Sequence, residues 1–90
     1  MTFEWDTRKA ALNIRKHGIS FDEASTAFGD LRSITIPDPY HSIEEERFIL
    51  LGRSFRGRLV VVVHTETADR IRMISARKAT RAERRKYEEG

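Results

Sequence analysis

Apolar and polar positions alternate over Thr2-Phe3-Glu4-Trp5, the period of a short edge strand. The rhythm then changes. Ala10, Ile14 and His17 recur at i, i+4 and i+7 with Ala11 beside them, which predicts a helix from Asp6 to about Lys16. Asp6 is its N-cap and Gly18 its left-handed C′ residue. Lys9, Asn13 and Lys16 fall on the other face and read as solvent-facing. Ser20 followed by Glu23 fits a capping box, and Phe21, Ala24 and Phe28 line one face of a second helix ending at Gly29-Asp30.

The middle of the chain has strand chemistry. Ser33–Ile36 is β-branched and stops at Pro37-Asp38-Pro39, which bars a central strand. Arg47–Arg53 reads as a strand, although Ser42 and Glu45 mimic a helix start. Gly52 to Gly57 then makes a hairpin connection into Leu59–Val63, a continuous apolar run typical of a strand buried on both faces. After the polar turn 65–69, Arg70–Ala76 returns as a strand, with Arg70 and Arg72 on one face and Ile71 and Met73 on the other. Thr80 and Glu83 form a third capping box, opening a helix whose apolar stripe is thin, mainly Ala82 and Tyr87. Helices and strands segregate along the chain. The fold class is therefore α+β: two N-terminal helices and a C-terminal basic helix on a twisted, mainly antiparallel sheet of about four to five strands.

Ninety residues hold one domain. Cysteine is absent, which excludes disulfides and thiolate chemistry. The start of the chain lacks an apolar signal region and no apolar run could span a bilayer, so a cytoplasmic protein is expected. The net charge of +3 is ordinary, but its placement is not. Residues 77–87 hold six cations and one anion, a net +5, while the other 11 cations and 13 anions leave the rest at −2. A basic excess confined to one segment is either a solvated helix face or a footprint for a polyanion or an acidic partner.

Three scattered histidines without cysteine make a metal site unexpected, and neither a phosphate-binding glycine loop nor a serine nucleophile elbow is present. What remains is His64 and Glu66 near the end of the central strand, with Arg70 and Arg72 across the hairpin and Arg77 following. RNA supplies its own nucleophile, the 2′-hydroxyl. Its cleavage needs proton transfer and cations around the phosphate, and no cofactor. On this reading His64 and Glu66 move protons, and Arg70, Arg72 and Arg77 hold the phosphate. Lys78, Arg81, Arg84 and Arg85 extend the RNA-binding flank. The bland alternatives are a strand-end histidine bonded to backbone and a Glu66–Arg70 surface pair. Tyr87 and Trp5 read as packing residues.

FEWD at 3–6, KAALN at 9–13, KHGISFDEA at 16–24 and RIRMISARKATRAERRKYEEG at 70–90, in this order, resemble the BrnT family of toxins. The resemblance spans residues 3 to 90. It implies a RelE-like fold and a small ribonuclease of a type II toxin–antitoxin system that blocks translation. It also implies a BrnA-type ribbon-helix-helix antitoxin, which dimerises, binds two toxins and represses the operon as a complex. Arg70, Arg72, Arg77 and Lys78 lie in the matching basic block; His64 and Glu66 match no family motif. The competing class is a non-catalytic nucleic-acid or antitoxin-binding partner, which needs neither acid nor base.

Overall fold

The computed structural model describes residues 1–40 and 45–90. Strand β1 (Thr2–Glu4) leads into helix α1 (Thr7–His17) and helix α2 (Phe21–Thr26), which a 3-10 turn, Ala27–Gly29, extends. Strands β2 (Ile34–Pro37), β3 (Arg47–Arg53), β4 (Leu59–Thr67) and β5 (Arg70–Lys78) follow, and helix α3 (Arg81–Glu89) closes the chain. The five strands form one sheet in the order β1-β5-β4-β3-β2. The three later pairings are antiparallel and β1 joins β5 in parallel, so the predicted N-terminal edge strand lies far from β2. The alternative helix start at Ser42 lies outside the described residues.

Both caps of α1 work as read from the sequence. Asp6 accepts from the amides of Arg8 at 2.8 Å and Lys9 at 3.2 Å, and Gly18 ends α1 at φ 72°. Ser20 accepts from the Glu23 amide at 3.0 Å. The Glu23 carboxylate does not return to complete that box. It is 2% exposed and runs instead to the β3–β4 hairpin, taking hydrogen bonds from Ser54 Oγ at 2.7 Å and from Arg58 Nε at 2.8 Å. The Arg58 and Ser54 bonds, working against burial, hold its pKa below the usual carboxylate range. The turn itself is Ser54–Gly57, with Gly57 at φ 80°. Gly52 is not a turn residue but part of β3. A Cβ there would come within 3.0 Å of the Ala27 carbonyl oxygen, so its bareness lets the 3-10 turn sit on the sheet.

β4 is buried on both faces, as its apolar run predicts. Val60 and Val62 join Ile19, Phe21, Ala24, Leu50, Ile71 and Met73 in a core beneath α1 and α2. Val61 and Leu59 face the other way and pack with Leu51 and Tyr87 beneath α3. Tyr87 anchors that helix: its hydroxyl donates to Asp30 Oδ2 at 2.6 Å, and the Arg53 guanidinium lies 5.5 Å from its ring centre.

Helix α1 departs from its predicted orientation. Asn13, expected in solvent, is buried, while Leu12 and Ile14 are 59% and 49% exposed. The reason lies in the sheet. β1 covers β5 only at Arg70–Arg72, and beyond it the β5 edge has no neighbouring strand. Asn13 takes that place. Its amide nitrogen donates to the Ala76 carbonyl at 2.8 Å and to the Ile19 carbonyl at 2.9 Å, and its oxygen accepts from the Ala76 amide at 3.1 Å. Satisfying an orphaned strand edge outweighs burying two aliphatic side chains.

Candidate nucleic-acid interface

Register places the basic side chains of β5. Arg72 pairs with Thr65, Ser75 with Val63 and Arg77 with Val61, and a bulge interrupts the ladder between Val63 and His64. Strict alternation would put Arg72 and Arg77, five residues apart, on opposite faces. The extra residue at the bulge, Ile74, restores them to one face. Arg70, opposite Thr67, joins them there. Arg47, opposite Thr65, also lies on this face and completes a row Arg47–Thr65–Arg72–Glu4 across four strands. Sequence reasoning assigned Arg47 only to a strand start; its parity with Arg72 becomes visible once the register is known.

Each of the three candidate arginines meets a carboxylate. Arg70 Nε is 3.7 Å from Glu4, and Arg72 NH2 donates to Glu45 at 2.5 Å. Both pairs are substantially exposed and exchange readily with solvent or ligand. Arg77 is held harder. Its two terminal nitrogens donate to the two oxygens of Glu83 at 2.8 and 2.9 Å. The Thr80 amide donates to the same carboxylate at 2.8 Å, completing the predicted capping box. The Arg77 bonds and, more weakly, the Thr80 amide bring the Glu83 pKa down to about 2, and the Arg77 pKa rises with the same bond. Arg77 thus ties α3 to the sheet.

His64 and Glu66 do not share a sheet face with these arginines, although Glu66 and Arg70 line one small cleft at the β4–β5 turn. His64 and Glu66 occupy the even positions of β4, which turn toward the helical layer, whereas Arg70, Arg72 and Arg77 share the opposite face. His64 is 0% exposed, with its ring 4.8 Å from that of Phe28 in edge contact and 5.9 Å from that of Phe48 in a stack. Its Nε2 is 3.0 Å from Glu66 and its Nδ1 is 3.4 Å from the Val62 carbonyl. The expected grouping fails because i, i+2 spacing sets a shared face for His64 and Glu66 but does not say which face.

The flank from Lys78 onward is open. Arg81, Arg84 and Arg85 recur at i, i+3 and i+4 on the stripe of α3 opposite Glu83 and Tyr87, which hold the helix to the sheet. These three and Lys78 are exposed, and none is ion-paired among the described residues. Among the described residues no three His, Cys, Asp or Glu side chains gather as metal ligands, and no helix is long and apolar enough to cross a membrane.

The sequence from residue 5 to 83 matches the family model described as the ribonuclease toxin, BrnT, of type II toxin–antitoxin systems. No curated protein matches the chain. Among solved structures, the fold is similar to that of the Brucella abortus ribonuclease toxin, BrnT, with a TM-score of 0.70 and 23% identity, covering 90% of this chain and 99% of the other. At that identity the likeness speaks for the three helices and five-stranded sheet, and the family match over most of the chain speaks for descent. The chain belongs to the BrnT family of ribonuclease toxins of type II toxin–antitoxin systems.

Proposed function

We propose that this chain is a metal-independent endoribonuclease that arrests growth by cutting RNA needed for translation in the cytoplasm, and that a BrnA-type ribbon-helix-helix antitoxin neutralises it. The observation that carries this reading is the set of four exposed, unpaired cations, Lys78, Arg81, Arg84 and Arg85, continuing from the arginine face of β5. A phosphodiester backbone is the polyanion that such a stripe suits. Arg72 is the side chain of this face to engage an RNA backbone phosphate, because its exposed bond to Glu45 costs little to exchange for a bidentate phosphate contact. Arg70 and Arg47 border it, and Arg77 sets the position of α3 relative to it. The reaction is transesterification by the 2′-hydroxyl, in which the protein supplies charge and proton transfer.

One feature favours a second reading. The arginine face of β5 presents no histidine, and its three candidate arginines are already neutralised. A protein that only binds RNA, or only completes a repressor complex with its antitoxin, would need no more. The two readings part on growth and RNA integrity after the chain is induced in a host without antitoxin, beside the Arg72→Ala/Arg77→Ala variant. The ribonuclease reading predicts arrest and RNA loss with the wild type alone. Soluble, folded wild-type chain that leaves growth and RNA untouched would overturn it. The antitoxin, two copies on two toxins in a complex that binds operator DNA, covers the cationic flank. At 100 times Kd a ligand selective for the folded state adds about 2.7 kcal/mol.

A further inference from the structure

A broad concavity lies away from α3. A cleft of about 640 Å³ opens between α1 and the uncovered edge of β5, lined by Lys9, Leu12, Asn13, Lys16 and His17 with Ile74 and Ser75. Lys9, Asn13 and Lys16 recur at i, i+4 and i+7 on one stripe of α1, and Asn13 pins that stripe to Ala76. The stripe therefore has a fixed position relative to β5. Ser75 is two residues from Arg77 on the same sheet face, so the cleft adjoins the arginine face around the strand edge.

Its charge is uncompensated. Lys9, Lys16 and Arg15, which also lines it, form no ion pair among the described residues, in contrast to Arg70, Arg72 and Arg77. His17 is half-buried at this wall, and neither ring nitrogen has a hydrogen-bond partner among the described residues. His64, by comparison, is sealed in the core. A half-buried histidine with both nitrogens uncommitted, beside three free cations in a cleft, is the arrangement that proton transfer at a phosphate requires.

We propose that this cleft holds the scissile phosphodiester of RNA, with Lys9 and Lys16 on its non-bridging oxygens and His17 as the catalytic base. This rests on the ribonuclease reading above. Neutral His17 takes the proton of the 2′-hydroxyl. The 2′-oxygen–phosphorus bond forms and the phosphorus–5′-oxygen bond breaks, leaving a 2′,3′-cyclic phosphate. The departing 5′-oxygen takes a proton from a lysine ammonium, and solvent resets both groups. The charged groups that line the cleft with His17 are Lys9, Arg15 and Lys16, all on α1, while the opposite wall on β5 contributes the non-titrating Ile74 and Ser75. RNA running on from the cleft reaches Arg72 and the α3 flank.

The test compares wild type, His17→Gln and Lys9→Gln/Lys16→Gln, each verified as folded by circular dichroism. The probes are a synthetic RNA oligonucleotide and its 2′-O-methyl form, which binds but lacks the nucleophile. His17→Gln should lose about 100-fold or more in kcat, change the shape of the pH profile, and bind the 2′-O-methyl oligonucleotide as the wild type does. Lys9→Gln/Lys16→Gln should bind it about tenfold more weakly, with a salt slope reduced by about 1.4. Cleavage by His17→Gln within threefold of wild type, with an unchanged pH profile, would overturn the base assignment. Unchanged affinity and salt slope in the lysine variant would overturn the cleft. If the wild type cuts no RNA, the ribonuclease reading and the role of His17 fall together. The binding arm then still decides whether the cleft takes phosphate.

Discussion

Replacing Asn13 tests how α1 is held to the sheet. Three hydrogen bonds end at its side-chain amide, to Ala76 O, from Ala76 N and to Ile19 O, and the residue is only 7% exposed. Each is worth about 1 kcal/mol net, and more where a buried partner is left unpaired. Asn13→Ala should therefore lose about 3 kcal/mol, offset by roughly 0.5 kcal/mol of helix propensity. Against a total of about 5–15 kcal/mol this is a large fraction. It corresponds to a fall of roughly 10–20 °C in Tm for a domain of this size. Asn13→Asp is the sharper variant. Its carboxylate still accepts from the Ala76 amide but sets a negative oxygen against the carbonyls of Ala76 and Ile19. It should be at least as destabilising as alanine near neutral pH. The assay is equilibrium urea unfolding of the three proteins, with amide exchange at Ala76 as a local readout. Losses below about 0.5 kcal/mol in both variants, with Ala76 still protected, would refute the idea that this amide substitutes for a missing strand.

Glu83 should make the fold acid-sensitive. Its pKa falls from 4.5 when unfolded to about 2 when paired with Arg77, so its contribution is whole above about 4.5 and drains away as pH drops toward 2. With both partners partly exposed, that contribution is on the order of 1–2 kcal/mol. Glu83→Gln should lower stability at pH 7 and flatten the acid limb of a pH series of urea midpoints; parallel acid limbs would contradict the pairing. Tyr87→Phe removes the hydroxyl that donates to Asp30 at 2.6 Å and should cost about 1–2 kcal/mol, with α3 fraying first in amide exchange. Arg72→Ala should change the urea midpoint by less than about 1 kcal/mol while weakening binding of a 2′-O-methyl RNA oligonucleotide, since its pair with Glu45 is exposed. A stability loss without a binding loss would reverse the role given to it.

The elements were legible where local chemistry decides them. Asp6, Gly18, Thr80 and Glu83 mark helix ends through bonds made within a turn, and the apolar run of β4 marks a strand covered on both sides. What sequence could not reveal depends on partners far along the chain. Asn13 reads as a surface residue until β5 is seen to lack a neighbour, and Glu23 reads as a capping residue until Arg58 is brought to it. The site suffered in the same way. The bulge at Ile74 decides that Arg72 and Arg77 share a face, and the direction of β4 decides that His64 does not join them. His17 continues the apolar spacing of Ala10 and Ile14, but α1 turns a different stripe to the sheet and leaves it at a cleft wall.

The central claim is that this chain cuts RNA by its own cationic side chains. The most direct measurement incubates the purified protein with total RNA in excess EDTA, with and without ribosomes, and maps the ends produced. The account predicts cleavage undiminished by the chelator, leaving 2′,3′-cyclic phosphate and 5′-hydroxyl ends. RNA that stays intact in both arms, or cleavage that vanishes with EDTA and returns with added metal, would contradict it.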